Sequence, residues 1–403
     1  MPDDSPAARR SQRFATRLSH VGRTGTRTHA FVNPPVHRGS TVLYPSCEAR
    51  RELGKRRLEQ ELIYGTMGSP THHALEDAVS EIEGGTRCQI VSTGLAAVTT
   101  PLLAYLKAGD HCLMPDSVYG PARHFAERML SGLGVETTFY DPEITEAAIT
   151  ALLCPNTRVL YTESPGSHTF EVPDIPMLAP VAHAHGAKVL MDNTWGLHFF
   201  QPFRHGVDVS IQALTKYAGG HSDLLLGAVT VAAHEDWERV RHAAMALGQY
   251  ASPDDCWLAL RGLRTLGVRL ERQMQAGIEV AEWLRARPEV LEVLHPALPG
   301  ARGHELWKRD FDGACSLFGV VFRPEFSPEA TQAMVDSLTL FGIGASWGGY
   351  ESLILPTTGF VTRTAGSGTF GGPVCRIHVG LEDTADLIAD LEHGLAVLRA
   401  HRG

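Results

Sequence analysis

The chain has 403 residues, 43% of them hydrophobic and 20% charged, a size that buries a large core and commonly divides into two domains. With 36 Lys and Arg against 45 Asp and Glu the net charge is −9, which argues against a general electrostatic footprint for nucleic acid or an anionic membrane. No apolar run reaches the roughly 20 residues of a membrane span, and the seven scattered cysteines, odd in number and without a CxxC, argue against a disulfide framework or a zinc site.

The first thirty residues are rich in Arg, Ser and Thr. Asp3 and Asp4 interrupt them and no apolar core follows, so they read as a mobile arm, with the cytoplasm as the expected address. An extended, proline-bearing piece (FVNPPVHRGSTVLYPS) and a charged helical run (EARRELGKRRLEQE) come next. Such a segment either lies on a neighbouring subunit or forms a loose surface. Tyr64 to Thr71 reads YGTMGSPT, a turn-rich loop, and the helix-like THHALEDAVSEIEGG after it stops at Gly84-Gly85. The strand CQIVS then meets Thr93-Gly94-Leu95, which opens the apolar helix LAAVTTPLLAYLKAG. A strand–Gly–helix junction presents free N–H groups and a helix dipole to an anion, although many such turns bind nothing.

Alternation continues through strand HCLMP, Tyr119 with helix GPARHFAERMLSGLG, strand VETTFY, helix ITEAAITALL, strand RVLYTES, helix IPMLAPVAHAHG and strand KVLMD. This pattern implies βαβ units and a mostly parallel sheet, and the absence of GxGxxG leaves a nicotinamide reading without its fingerprint. KVLMDN ends at Asp192, VDVSIQAL runs into Thr215-Lys216, and LLLGAVTV follows a Gly-Gly-His-Ser-Asp turn. An acid and a lysine at strand ends, where open α/β sheets hold ligands, match the needs of pyridoxal phosphate. The lysine bonds the aldehyde and the aspartate keeps the pyridinium nitrogen protonated. Taken alone, a lysine before a glycine turn is most often a solvated strand end. After Arg261-Gly262 a long amphipathic helix leads to a second set of elements: EVLHPAL, SLFGVVFRP, PEATQAMVDSL and CRIHVGLED. The expected organisation is an arm over 1–68, a cofactor-binding α/β domain over 69–264 and an α+β domain over 265–403.

VNPPVHRGSTVL, ESPGS, MDNTW, SIQALTKYAGGHSD, RGLRTLGVRL, SWGGYESL and RIHVGLEDTADLIADLE follow one another across nearly the whole chain. In these phrases the sequence resembles the cysteine/methionine-metabolism family of pyridoxal-phosphate enzymes, and within it the β-lyase branch. The resemblance implies an aspartate-aminotransferase-like large domain with a mostly parallel, seven-stranded sheet, and a smaller α+β C-terminal domain. It implies α,β-elimination of L-cystathionine, an amino-acid thioether, to homocysteine, pyruvate and ammonia in methionine biosynthesis, by a homotetramer built from catalytic dimers.

Carried over by resemblance, Lys216 matches the lysine that bonds the cofactor and moves protons, Asp192 the pyridinium partner, and Tyr119 the tyrosine that stacks on the ring. Gly94 and Leu95 match the residues whose amides hold the phosphate, and Thr215 a hydroxyl contact to it. Tyr64 matches a tyrosine that reaches the neighbouring subunit's phosphate. Arg376 matches the grip on the substrate carboxylate, with Ser346 and Trp347 lining that end of the site. Two positions depart from the family pattern. Thr66 stands where the family usually has a phosphate-binding arginine, and Ala213 where many relatives outside the β-lyases have a serine.

Three other readings stay open at this point: a β-lyase for cystine or other cysteine S-conjugates, a γ-acting relative, and a regulator that keeps the cofactor but works by binding a partner. Gly166-Ser167 and Trp347 tilt against the γ branch.

Overall fold

The computed structural model describes residues 12–23, 31–366 and 370–401. Short aliphatic and β-branched runs form β1 (Arg87–Val91), β2 (His111–Pro115), β3 (Glu136–Tyr140), β4 (Thr157–Glu163), β5 (Lys188–Asp192), β6 (Val209–Ala213) and β7 (Gly227–Val231). They make one seven-stranded sheet in the order β1-β7-β6-β5-β4-β2-β3. The five strands from β2 to β6 are parallel, whereas β7 is antiparallel to both β6 and β1. The mostly parallel α/β sheet expected from the alternation is therefore present. Helices cover both faces, so β2 and β7 are buried at every position, as their unbroken apolar runs require.

A second sheet contains β8 (Val290–Leu294), β9 (Leu317–Phe322), β10 (Gly342–Ile343), β11 (Leu353–Pro356) and β12 (Val374–His378). Its order is β10-β11-β12-β9-β8, antiparallel except for the short β10–β11 pair. Helices Pro328–Asp336 and Thr384–Ala400 share its core, where Phe318, Val320, Phe322, Met334, Leu387 and Leu391 are buried together.

Helix Pro253–Arg285 joins the two sheets. The sequence places its start after Gly262, but the helix begins ten residues earlier. Ser252 caps it, accepting from the Asp254 amide at 3.2 Å, and Pro253 occupies the first turn. Gly262 is a contact residue, not a stop: a Cβ there would lie 2.3 Å from the Ala218 carbonyl oxygen and 2.4 Å from that of Gly219. Leu263, Leu266 and Leu270 face the large core, and Val280 and Leu284 the small one. The division drawn at 264/265 thus falls inside one continuous helix.

Three local expectations change. Residues 1–11 and 24–30 of the expected arm lie outside the described residues, but Phe14–His20 forms a helix with Leu18 and the following Val21 buried in the large core. Arg264 fastens it by donating to the Leu18 carbonyl at 2.7 Å. Two apolar positions in one short turn leave no periodicity to read. The charged run after Ser46 is helical only over Cys47–Gly54 and buries none of its residues, which is why it ends at the first glycine. Helix His234–Ala246 escaped the sequence reading because its charges dominate the pattern, yet Trp237, Val240 and Ala244 bury one side of it. Among the described residues no helix is long and apolar enough to cross a membrane.

Candidate active site

The carboxyl ends of the parallel strands open onto a cavity of about 430 Å³, closed on its far side by loops of the second sheet. Asp192, the last residue of β5, accepts the Thr194 amide at 3.0 Å. Burial pushes its carboxyl upward, opposed by the bonds from Thr194 and by the charge of Lys216. On the next strand Glu163 sits in direct register with Asp192. Burial, reinforced by the Asp192 charge, raises it well above the usual carboxylate range. Glu163 also accepts the Tyr119 amide at 2.7 Å, which fixes Tyr119 at the entrance of helix Gly120–Phe125.

Beyond β6 the chain turns tightly. The Lys216 amide donates to the Ala213 carbonyl at 3.1 Å and the Gly220 amide to that of Lys216 at 2.8 Å. Lys216 Nζ donates to Ser346 Oγ at 2.6 Å and lies 5.3 Å from the Trp347 ring. Burial, with help from the Arg376 charge and against the pull of Asp192, lowers its pKa to about 8. Thr215 lines the same wall, with its hydroxyl engaged by Leu226: it accepts the Leu226 amide at 3.0 Å and donates to the carbonyl at 3.3 Å.

Ser346 and Trp347 come from the second sheet's loop. Ser346 holds a left-handed backbone, φ 81°, and its carbonyl accepts from Arg376 Nη2 at 2.9 Å. Arg376, on β12, reaches the cavity from a strand interior, and burial lowers its pKa to about 10. Opposite, Thr93 caps helix Gly94–Tyr105 by accepting the Ala96 amide at 3.0 Å, which leaves the Gly94 and Leu95 amides at the free end of the helix. The Gly94 backbone comes so close to β6 that a Cβ would lie 2.7 Å from that of Ala213.

A family model described as Cys/Met metabolism PLP-dependent enzyme matches residues 15–396. The chain belongs to this family. It is 49% identical over 389 residues, 96% of each chain, to a putative cystathionine beta-lyase of Rhizobium johnstonii. It is 42% identical over 391 residues, 96% of this chain and 98% of the other, to cystathionine beta-lyase MetC of Escherichia coli. Among solved structures, metB of Corynebacterium glutamicum superposes with a TM-score of 0.88 at 29% identity, over 98% of this chain and 100% of that one.

Pyridoxal phosphate is the cofactor of this family, and the residues present fit it. The cavity holds a half-buried amine hydrogen-bonded to a neutral hydroxyl, a half-buried carboxylate across from it, an aromatic face at Tyr119 and a helix amino end whose glycine admits close approach. Gly94, Leu95, Tyr119, Asp192, Thr215, Lys216, Ser346, Trp347 and Arg376 all line this cavity. Tyr64 does not. It is half-exposed beside the Gly65–Met67 turn, bridged to Thr41 on an outer surface. Glu163 and His168 line the cavity but were not singled out from the sequence. An acid ending a predicted strand, as in MDN, was the available signal for Glu163; nothing local marks His168.

Proposed function

We propose that the chain catalyses α,β-elimination of L-cystathionine, releasing homocysteine, pyruvate and ammonia. The observation that carries this reading is Lys216 Nζ, lowered to about 8 and held on Ser346 in one cavity with Asp192 and Arg376. The relatives named cystathionine beta-lyase support it. When bound, pyridoxal phosphate supplies an electron sink for the carbanion at Cα. In our reading Gly94 and Leu95 donate amides to its phosphate, with Thr215 beside them, Tyr119 covers one ring face, and Asp192 holds the proton on the ring nitrogen. Arg376 grips the substrate α-carboxylate with its planar pair of donors, and its bond to the Ser346 carbonyl sets the angle of that grip. Lys216 is the residue that would hold the cofactor's aldehyde end. Its amine, lowered to about 8 and so far easier to deprotonate than a free lysine, would in its neutral form take the Cα proton at Nζ and return a proton to the departing sulfur. Ser346 Oγ orients that amine, and Trp347 shields it from water.

Half-exposed Tyr64 lies away from its own chain's cavity, which suits a residue that completes a neighbour's site. We accordingly propose a catalytic dimer, paired into a homotetramer, acting in the cytoplasm. The test is a product assay on the cofactor-loaded protein. Pyruvate with homocysteine from L-cystathionine is the expected outcome. Oxobutyrate with cysteine would move the chain to γ chemistry, turnover of L-cystine alone would change the substrate, and no turnover would overturn the reading.

A further inference from the structure

The ESPGS run ends one residue before His168, whose side chain the reaction outlined above leaves unused. His168 lines the catalytic cavity and also a second cavity of about 370 Å³, and Tyr119, Ser167 and Phe360 share that position with it. The imidazole therefore stands in the wall that the two cavities share. Its ring meets Phe360 edge-on, centroids 5.8 Å apart and planes at 86°, and its backbone is left-handed, φ 63°. That conformation is costly for a residue with a Cβ, and here it holds the ring in the wall.

Nδ1 is shut off from solvent, and neither ring nitrogen makes a hydrogen bond among the described residues. An orphaned N–H in that position costs more than an orphaned lone pair. The bare nitrogen is thus Nδ1, and the proton sits on Nε2, the nitrogen not sealed in by the fold. Burial and the Arg376 charge lower the pKa to about 4, so the ring is a neutral single donor. In the second cavity, Arg123 is already engaged by Asp116 and by Glu127 at 3.0 Å, two carboxylates against its one charge, so it is not free to take a further anion.

We propose that His168 determines specificity: its Nε2–H donates to an acceptor at the far end of the substrate side chain, favouring thioether amino acids whose leaving group carries a carboxylate. This rests on the β-elimination reading. With the α-carboxylate on Arg376 and the amine end at Lys216, the remainder of a long thioether extends toward the wall that holds His168. A short S-alkyl cysteine ends before it and gains nothing from the donor.

The experiment compares kcat/KM of the holoenzyme for L-cystathionine and S-ethyl-L-cysteine in the wild type, His168→Gly and His168→Asn. Glycine keeps the positive φ without strain and deletes the donor, while asparagine tolerates the same backbone and returns a neutral N–H. His168→Gly is expected to lower kcat/KM for L-cystathionine about 10- to 100-fold more than for S-ethyl-L-cysteine, the range lost with a hydrogen bond to a charged acceptor. His168→Asn is expected to recover part of that preference. Equal losses on both substrates, or no loss on either, would overturn the proposal. Should the wild type make pyruvate from neither thioether, the elimination reading itself fails. Calorimetric Kd values for the same two ligands then test His168 independently: an unchanged ratio in His168→Gly overturns it, and a collapsed ratio upholds it.

Discussion

Replacing Lys216 by methionine keeps an unbranched side chain, one atom shorter, and removes its charge. In the cofactor-free protein the fall of the lysine pKa from 10.5 to about 8, at about 1.4 kcal/mol per tenfold change, burdens the folded state with about 3 kcal/mol at pH 7. Methionine removes that burden. It forfeits the hydrogen bond to Ser346, worth about 1 kcal/mol, and a partly exposed contact with Trp347, worth about 0.5 to 1 kcal/mol. Lys216→Met is therefore expected to stabilise the apoprotein by about 1 to 2 kcal/mol at pH 7 while abolishing turnover. The sign depends on pH. A lysine whose pKa is lower in the fold than in the unfolded chain binds fewer protons folded, so wild-type stability rises between about 8 and 10.5 and is lowest below that window. The variant lacks this rise, so its advantage shrinks across the window, while other titrating groups cancel between the two proteins. Paired urea unfolding at pH 7, 8.5 and 10 measures this. A variant less stable than wild type at pH 7, or a difference that stays constant with pH, would refute the account of how Lys216 is activated.

The parts of the site that the sequence made legible are those set by one strand and the turn after it. Asp192 and Lys216 close apolar strands beside Asn and Gly, and Thr93-Gly94 marks a helix start, so local chemistry alone suggests an anion end and an amine end. The parallel sheet was legible for the same reason, since strands buried on both faces have unbroken apolar runs. Contacts between distant segments were another matter. Ser346 meets Lys216 across 130 residues of chain, and its role came only from resemblance. Glu163 gains its raised pKa from burial and then from lying in register with Asp192 on the next strand, which neither segment announces. His168 depends on a backbone angle and on a phenylalanine far along the chain. Gly262 misled the reading of the long helix because a glycine that admits a neighbouring backbone looks, in sequence, like one that bounds a helix.

Two further outcomes follow from single positions. Thr66 is exposed on the turn beside Tyr64 and, in the proposed dimer, a cation there would add a charge-assisted bond to the neighbouring phosphate, so Thr66→Arg should slow cofactor loss during dialysis about five- to tenfold. Unchanged retention would mean that the turn does not face a phosphate in the assembly. Gly262→Ala sets local preference against packing. In a helix interior, alanine is favoured over glycine by about 1 kcal/mol. Here the new methyl would lie 2.3 Å from the Ala218 carbonyl oxygen and 2.4 Å from that of Gly219, backbone atoms with no rotamer to move aside. Either the helix or the 214–220 turn must shift by close to an ångström, at a cost of about 1 to 3 kcal/mol and more where backbone resists. The expected result is a net loss of about 1 to 2 kcal/mol in urea unfolding, since the blocking atoms are backbone. Turnover should fall further than stability alone explains, because Lys216 rides on the displaced turn. A gain in stability with full turnover would show that the helix and the lysine turn are less tightly joined than these distances require.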